Sequence, residues 1–233
     1  YLQPKINGPV SPRMAKQDEK RKSEKKMQIH NLIILDESGS MEVIKQATID
    51  GFQNLKNNIL SSELEFKKQK HLVSVVTFNG RDVKFRLFAQ PASELVSFNS
   101  KNYHPDNTTP LYDAICKSVF KLKHELHSVK YYRVLVTVIT DGCENSSKEF
   151  TRKETKFLIE SMAEDSRWGF GLIGANIDIG AVARSLAIPL ERTIEFESND
   201  ESVLNLFRRY GAAQKNMSRV FAYAGNFDDD IPF

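Results

Sequence analysis

A run of apolar residues, Leu32-Ile33-Ile34-Leu35, extended upstream by Ile29, stops abruptly at Asp36-Glu37-Ser38-Gly39-Ser40-Met41. A continuous apolar run marks a buried strand, and this one delivers an acid and two hydroxyls, spaced Asp36-x-Ser38-x-Ser40, to its carboxyl end. In an open α/β sheet that edge is where ligands bind, because the loops leaving the strand tips line a crevice between the helices. One carboxylate and two hydroxyls are hard oxygen donors, suited to Mg²⁺, Mn²⁺ or Ca²⁺ rather than to Zn²⁺, which prefers nitrogen and sulfur. A plain strand followed by an Asp/Ser/Gly turn has the same residue types, so this stretch by itself leaves both readings open.

Elsewhere the chain alternates strand and helix signals. Ile44, Ala47, Ile49, Phe52, Leu55 and Ile59 recur at helical spacing and predict a helix from about Glu42 to Leu60. Leu72 to Phe78 reads as a second buried strand, Asn79-Gly80 as a hairpin turn, and the alternating Val83 to Phe88 as an antiparallel edge strand. Pro91 to Asp106 reads as loop with one short helical turn. Pro110 then suits the first turn of a helix capped by Thr109 and running to about His127. Val134 to Thr140 is another β-branched run, as in a central parallel strand, and it ends in Asp141-Gly142-Cys143-Glu144-Asn145. Helices over 151–162, 179–186 and from 201 to about 217, with strands over 168–175 and 193–196, complete the pattern. The expected fold is therefore α/β: a doubly wound, mainly parallel sheet with one antiparallel edge strand and helices on both faces.

The 233 residues, 40% of them hydrophobic, suffice for one domain with appendages. The net charge of +3 hides an asymmetry, since residues 1–28 carry eight Lys/Arg against three acids and the remainder is −2. By charge the folded part is not a nucleic-acid-binding surface. The expected organisation is a basic, flexible segment over 1–28, a domain over 29–217 and a tail over 218–233. Two cysteines, Cys116 and Cys143, fall in no metal or redox spacing and read as free thiols of a reducing compartment. No leader-like apolar core and no membrane-spanning run is present, so the expected location is cytoplasmic.

Asp36-x-Ser38-x-Ser40, Thr109-Pro110-Leu111 and Thr140-Asp141-Gly142 all fall where successive loops leave one edge of one sheet. This set resembles the von Willebrand factor A (vWA) domain, whose metal-ion-dependent adhesion site (MIDAS) takes DxSxS from one loop, Thr from a second and Asp from a third. The resemblance covers about Ile29 to Met217 and is especially close to intracellular bacterial members reading LDxSGSM, TPLYDAI and TDGxEN. It implies that Ser38, Ser40 and Thr109 supply hydroxyl ligands, while Asp36 and Asp141 hold metal-bound waters or bind directly. The implied cofactor is Mg²⁺, or Mn²⁺ or Ca²⁺. Mg²⁺ takes six oxygens, so three hydroxyls and two acids leave one position and some charge unsatisfied, and a partner's Asp or Glu supplies both. Asp113 and Glu144 lie outside the family pattern and are expected to support ligands at most. Two departures stand out: Glu37, whose charge is expected at the rim, and Asn107-Thr108, where a Gly-rich approach is usual. No His, Lys or Cys base accompanies the motif, which argues against an enzyme. His124 and His127 are expected on a solvated helix face.

The final residues, Asp228-Asp229-Asp230-Ile231-Pro232-Phe233, resemble the acidic tip of bacterial single-stranded-DNA-binding proteins, which docks on replication, recombination and repair proteins. That resemblance implies that Phe233 fills an apolar pocket while its carboxylate meets a basic side chain and Asp228 to Asp230 follow a basic rim. A solvated acidic tail is the plain alternative. Together the two resemblances imply an adaptor that binds a partner carboxylate through a divalent cation and is directed by its tip to DNA replication, repair or defence machinery. Two other classes compete. A metal-dependent hydrolase or phosphatase would use Asp36 as nucleophile but would want a second carboxylate where Ser38 stands, and a nucleic-acid binder would act through residues 1–28.

Overall fold

Leu32, Ile33, Ile34 and Leu35 are all buried because their strand is covered on both faces, and alternate residues enter two separate cores. In the computed structural model, which describes residues 26–175, 178–196 and 200–224, six strands form one sheet. They are β1 (Met27–Asp36), β2 (Gln69–Asn79), β3 (Asp82–Pro91), β4 (Tyr132–Thr140), β5 (Trp168–Ala175) and β6 (Thr193–Phe196). The order across the sheet is β3-β2-β1-β4-β5-β6, and every neighbouring pair is parallel except β2 with β3. The expected edge hairpin therefore forms, with Asn79 opposite Asp82.

Among the described residues five α-helices cover the sheet: α1 (Lys45–Glu65), α2 (Leu111–Glu125), α3 (Arg152–Ala163), α4 (Ile179–Ser185) and α5 (Asp200–Ala224). Leu32 and Ile34 of β1 pack with Ile115, Val119 and Leu122 of α2 and with Leu158 and Ile159 of α3. Ile33 and Leu35 point the other way, to Phe52, Leu55 and Ile59 of α1 and Phe207 of α5. Helices α1 and α5 approach so closely that a Cβ on Gly51 would overlap the Phe207 ring. A 3₁₀ turn, Gly39–Ile44, precedes α1, so the predicted helix over 42–60 begins as a tighter turn and then continues to Glu65. The last helix continues past Met217, held there by a hydrogen bond from the Gln69 amide to the Ser218 carbonyl (2.7 Å) and by Arg219 beside Glu65 (3.6 Å).

No helix among the described residues is long and apolar enough to cross a membrane. The tip Asp228–Phe233 and residues 1–25 of the basic segment lie outside the described residues.

Candidate metal centre

β1 and β4 are adjacent and parallel, so their carboxyl ends deliver Asp36 and the Thr140-Asp141 pair to one spot. There the Asp36 carboxylate accepts the Ser38 amide at Oδ1 (2.7 Å) and the Thr140 hydroxyl at Oδ2 (2.6 Å). The Ser40 hydroxyl donates to Asp141 Oδ1 (2.6 Å), and the Ser38 and Ser40 hydroxyl oxygens lie 3.2 Å apart. Thr109 completes the ring from a third loop: a Cβ placed on Gly142 would lie 3.1 Å from Thr109 Oγ1 and 3.6 Å from Ser40 Oγ. The glycine thus keeps open the space that the hydroxyls face. All five residues singled out in the sequence, Asp36, Ser38, Ser40, Thr109 and Asp141, converge.

Both carboxylates of the site are buried, while Ser40 is exposed at its mouth. Burial pushes the Asp36 carboxyl up from 3.8 to about 6, against the pull of its hydrogen bonds to Thr140 and Ser38, and burial also raises Asp141. No basic side chain contributes to either shift. The hydroxyl of fully buried Tyr103 donates to the Asp36 carbonyl (2.7 Å), and its own ionisation is pushed far up by burial and by the neighbouring acids. Two desolvated carboxylates and three hydroxyls are oxygen donors of the kind that hard divalent ions take. Adjacent ligands of an octahedral ion at about 2.1 Å stand about 3.0 Å apart. The Ser38–Ser40 and Ser40–Asp141 separations of 3.2 and 2.6 Å bracket that spacing, so these three oxygens are compatible with such an ion.

The remaining acids are turned to other work. Glu37 does not sit at the rim as expected. It is buried, with both oxygens on the Arg86 guanidinium (3.1 and 2.9 Å) and Oε1 also accepting the His104 amide (2.8 Å). The reason is strand alternation, since the residue after Asp36 points away from the face that Asp36 occupies. Nor does Thr109 cap α2. Pro110 takes the N-cap position without a side-chain bond, and the first amides of the helix are met from another loop: Tyr112 N–H by Glu144 Oε2 (3.0 Å) and Asp113 N–H by Ser147 Oγ (3.1 Å). Glu144 also accepts the amides of Ser146 and Ser147 and the Ser147 hydroxyl, and Asp113 accepts the amides of Lys148, Glu149 and Phe150.

Asn107 stands where glycine is usual because its backbone is left-handed (φ 73°), a conformation asparagine tolerates better than other side chains. Its carbonyl accepts the Gly39 amide (3.0 Å) and so pins the serine loop. Sequence reasoning placed Thr140 and Asn145 in the motif of the third loop but gave neither a part, and it missed Tyr103, which carried no signal. His124 and His127 are exposed and stacked on each other, as expected. Cys116 is buried, its thiol pushed up to about 11 by burial, and Cys143 is exposed on the Asp141 loop.

No protein-family model and no curated protein matches this sequence. Among solved structures the chain is similar to the VWA domain of SpRpn10 (12% identity, TM-score 0.54), over 78% of this chain and 95% of that one. It is similar to manganese-loaded TRAP protein of Plasmodium vivax (16% identity, TM-score 0.52), over 76% of this chain and 72% of that one. Likeness to the proximal thread matrix protein 1 of the mussel byssus (13% identity, TM-score 0.51) covers 81% of this chain but 46% of that one, so this chain spans under half of it. The mainly parallel six-stranded sheet with its antiparallel edge strand and flanking helices is the vWA fold.

Proposed function

We propose that this chain is a metal-dependent protein-interaction module in which Asp36, Ser38, Ser40, Thr109 and Asp141 hold Mg²⁺ or Mn²⁺ and a partner's Asp or Glu carboxylate binds the held ion. The observation that carries the reading is the unbroken set of oxygens from Ser38 through Ser40 to Asp141, set beside a desolvated Asp36 with no basic neighbour in its field. Fold-level likeness supports it, since one structural neighbour is manganese-loaded. The bound ion would supply a positive point charge with one coordination position left for an incoming carboxylate.

Each residue has a distinct part. Ser40 donates its proton to Asp141, which leaves its lone pairs free to face a cation. Both oxygens of Asp36 already accept a hydrogen bond, so this carboxylate is held in place and suited to contact through water. The arrangement favours binding over catalysis, because among the described residues no lysine, histidine or thiol is hydrogen-bonded to the five side chains to move a proton. A hydrolase reading would need a second acid where Ser38 stands.

Calorimetric titration of Mg²⁺ and Mn²⁺ into the wild type and an Asp36→Ala/Ser38→Ala variant tests this. Saturable binding that the variant loses supports the module. Absence of binding by the wild type, or equal binding by both, refutes it.

A further inference from the structure

Of the five converging residues, Thr109 alone has no side-chain hydrogen bond to the other four among the described residues, so its hydroxyl is placed by its backbone. That backbone is gripped on both sides by one residue. The Thr109 amide donates to Asn145 Oδ1 (2.8 Å), and the Asn145 amide donates back to the Thr109 carbonyl (3.1 Å). We propose that Asn145 is a positioning residue that holds the Thr109 hydroxyl in register with Asp141; the inference rests on the metal-site reading above.

The grip belongs to a larger reciprocal lock. Glu144 and Ser147 cap the first amides of α2, while Asp113 in the first turn of α2 accepts the amides of Lys148, Glu149 and Phe150 (2.9, 3.1 and 2.9 Å). Each segment thus satisfies backbone donors that the other leaves open at its end. Residues 109–113 and 144–150 therefore form one body, and Asp141 leads into it three residues before Glu144. Two of the three loops that build the site are joined, and the Asp36–Ser40 loop is tied to them by the Thr140–Asp36, Ser40–Asp141, Gly39–Asn107 and Asp106–Glu37 hydrogen bonds. The side chain at 145 must accept from a backbone amide, which Asn and Asp do and Ala does not. Asn145 is itself exposed, so this contact is separable from the core.

The test uses the full chain as wild type, Asn145→Ala and Asn145→Asp, with three readouts: amide hydrogen exchange at Thr109 without metal, Mn²⁺ affinity by calorimetry, and the metal-free melting temperature. The Ala variant should exchange at Thr109 about tenfold faster, the size of one lost hydrogen bond. Its Mn²⁺ affinity should fall about 10- to 100-fold, as when partners behind a metal ligand are removed. Its melting temperature should stay within about 3 °C of wild type, since one part-buried hydrogen bond outside the hydrophobic cores is lost. The Asp variant, which keeps the acceptor and adds negative charge, should restore slow exchange and bind at least as tightly as wild type. Unchanged exchange or unchanged affinity in the Ala variant overturns the proposal, as does failure of Asp to rescue. A wild type that binds no Mn²⁺ refutes the metal reading instead, and the exchange arm then decides by itself whether Asn145 holds Thr109.

Discussion

Replacing Asp36 by Asn should stabilise the metal-free protein while abolishing metal binding. The Asp36 carboxyl is raised from 3.8 to about 6, first by burial. An acid raised on folding contributes stability that is fully present below its unfolded value and is lost as pH rises through the folded one. Above pH 7 the full 2.2 units is therefore a penalty of about 3 kcal/mol on the folded state. Asn is neutral and removes it. Oriented with Oδ1 toward the Ser38 amide, the new side chain turns its amino group to the Thr140 hydroxyl, which then donates to the Gly142 carbonyl instead (3.0 Å). Exchanging charge-assisted hydrogen bonds for neutral ones costs about 1 kcal/mol. The net gain is about 2 kcal/mol at pH 8, or roughly 4–8 °C in melting temperature for a chain of this length. At pH 4.5 the wild-type penalty shrinks to about 1 kcal/mol and the gain should vanish. Thermal denaturation in a chelator at both pH values, followed by circular dichroism, reads this directly. With excess Mn²⁺ at pH 8 the order should reverse, because only the wild type gains from the ion. A variant destabilised at pH 8, or shifted equally at both pH values, would refute the reasoning.

Other consequences follow from particular contacts. His30 and His71 are buried and lowered to about 4 by burial, so each is neutral when folded. Stability they support above pH 6.5 should be lost at about 1.4 kcal/mol per pH unit for each as pH falls toward 4, partly offset by Asp36 below pH 6. Urea unfolding of a His30→Gln/His71→Gln variant should show a flatter acid slope than wild type, and parallel slopes would contradict this. Gly51→Ala forces a methyl into the Phe207 ring and should cost about 1–3 kcal/mol, with Phe207→Leu recovering part of it in a double-mutant cycle. Glu37→Ala leaves Arg86 and the His104 amide without their carboxylate and should cost roughly 3 kcal/mol in urea unfolding, whereas a change below 1 kcal/mol would return Glu37 to the rim.

The correct strands were legible because β1 and β4 lie mid-sheet with both faces covered, which demands continuous apolar or β-branched runs such as Leu32–Leu35 and Val134–Ile139. Four of the five candidate residues end or follow a strand that local pattern defines and Thr109 precedes a helix, while their part as ligands came from the family resemblance. Helix ends were less so. The 3₁₀ turn after Ser38 and the extension of α5 to Ala224 depend on contacts with Asn107 and with Gln69 and Glu65, which are distant in sequence.

Local spacing thus determined the alternation of strand and helix, the parallel order that follows from it, and the delivery of hard oxygens to one sheet edge. Tertiary structure decided what the remaining acids bind. Asp36, Glu37, Asp113, Asp141 and Glu144 are the same two residue types at element ends, yet Glu37 pairs with Arg86, and Asp113 and Glu144 cap amides of each other's segments. Only Asp36 and Asp141 are left facing three hydroxyls without a cation. A carboxylate's role is set by which donors reach it once the chain is folded, and those donors lie up to 104 residues away.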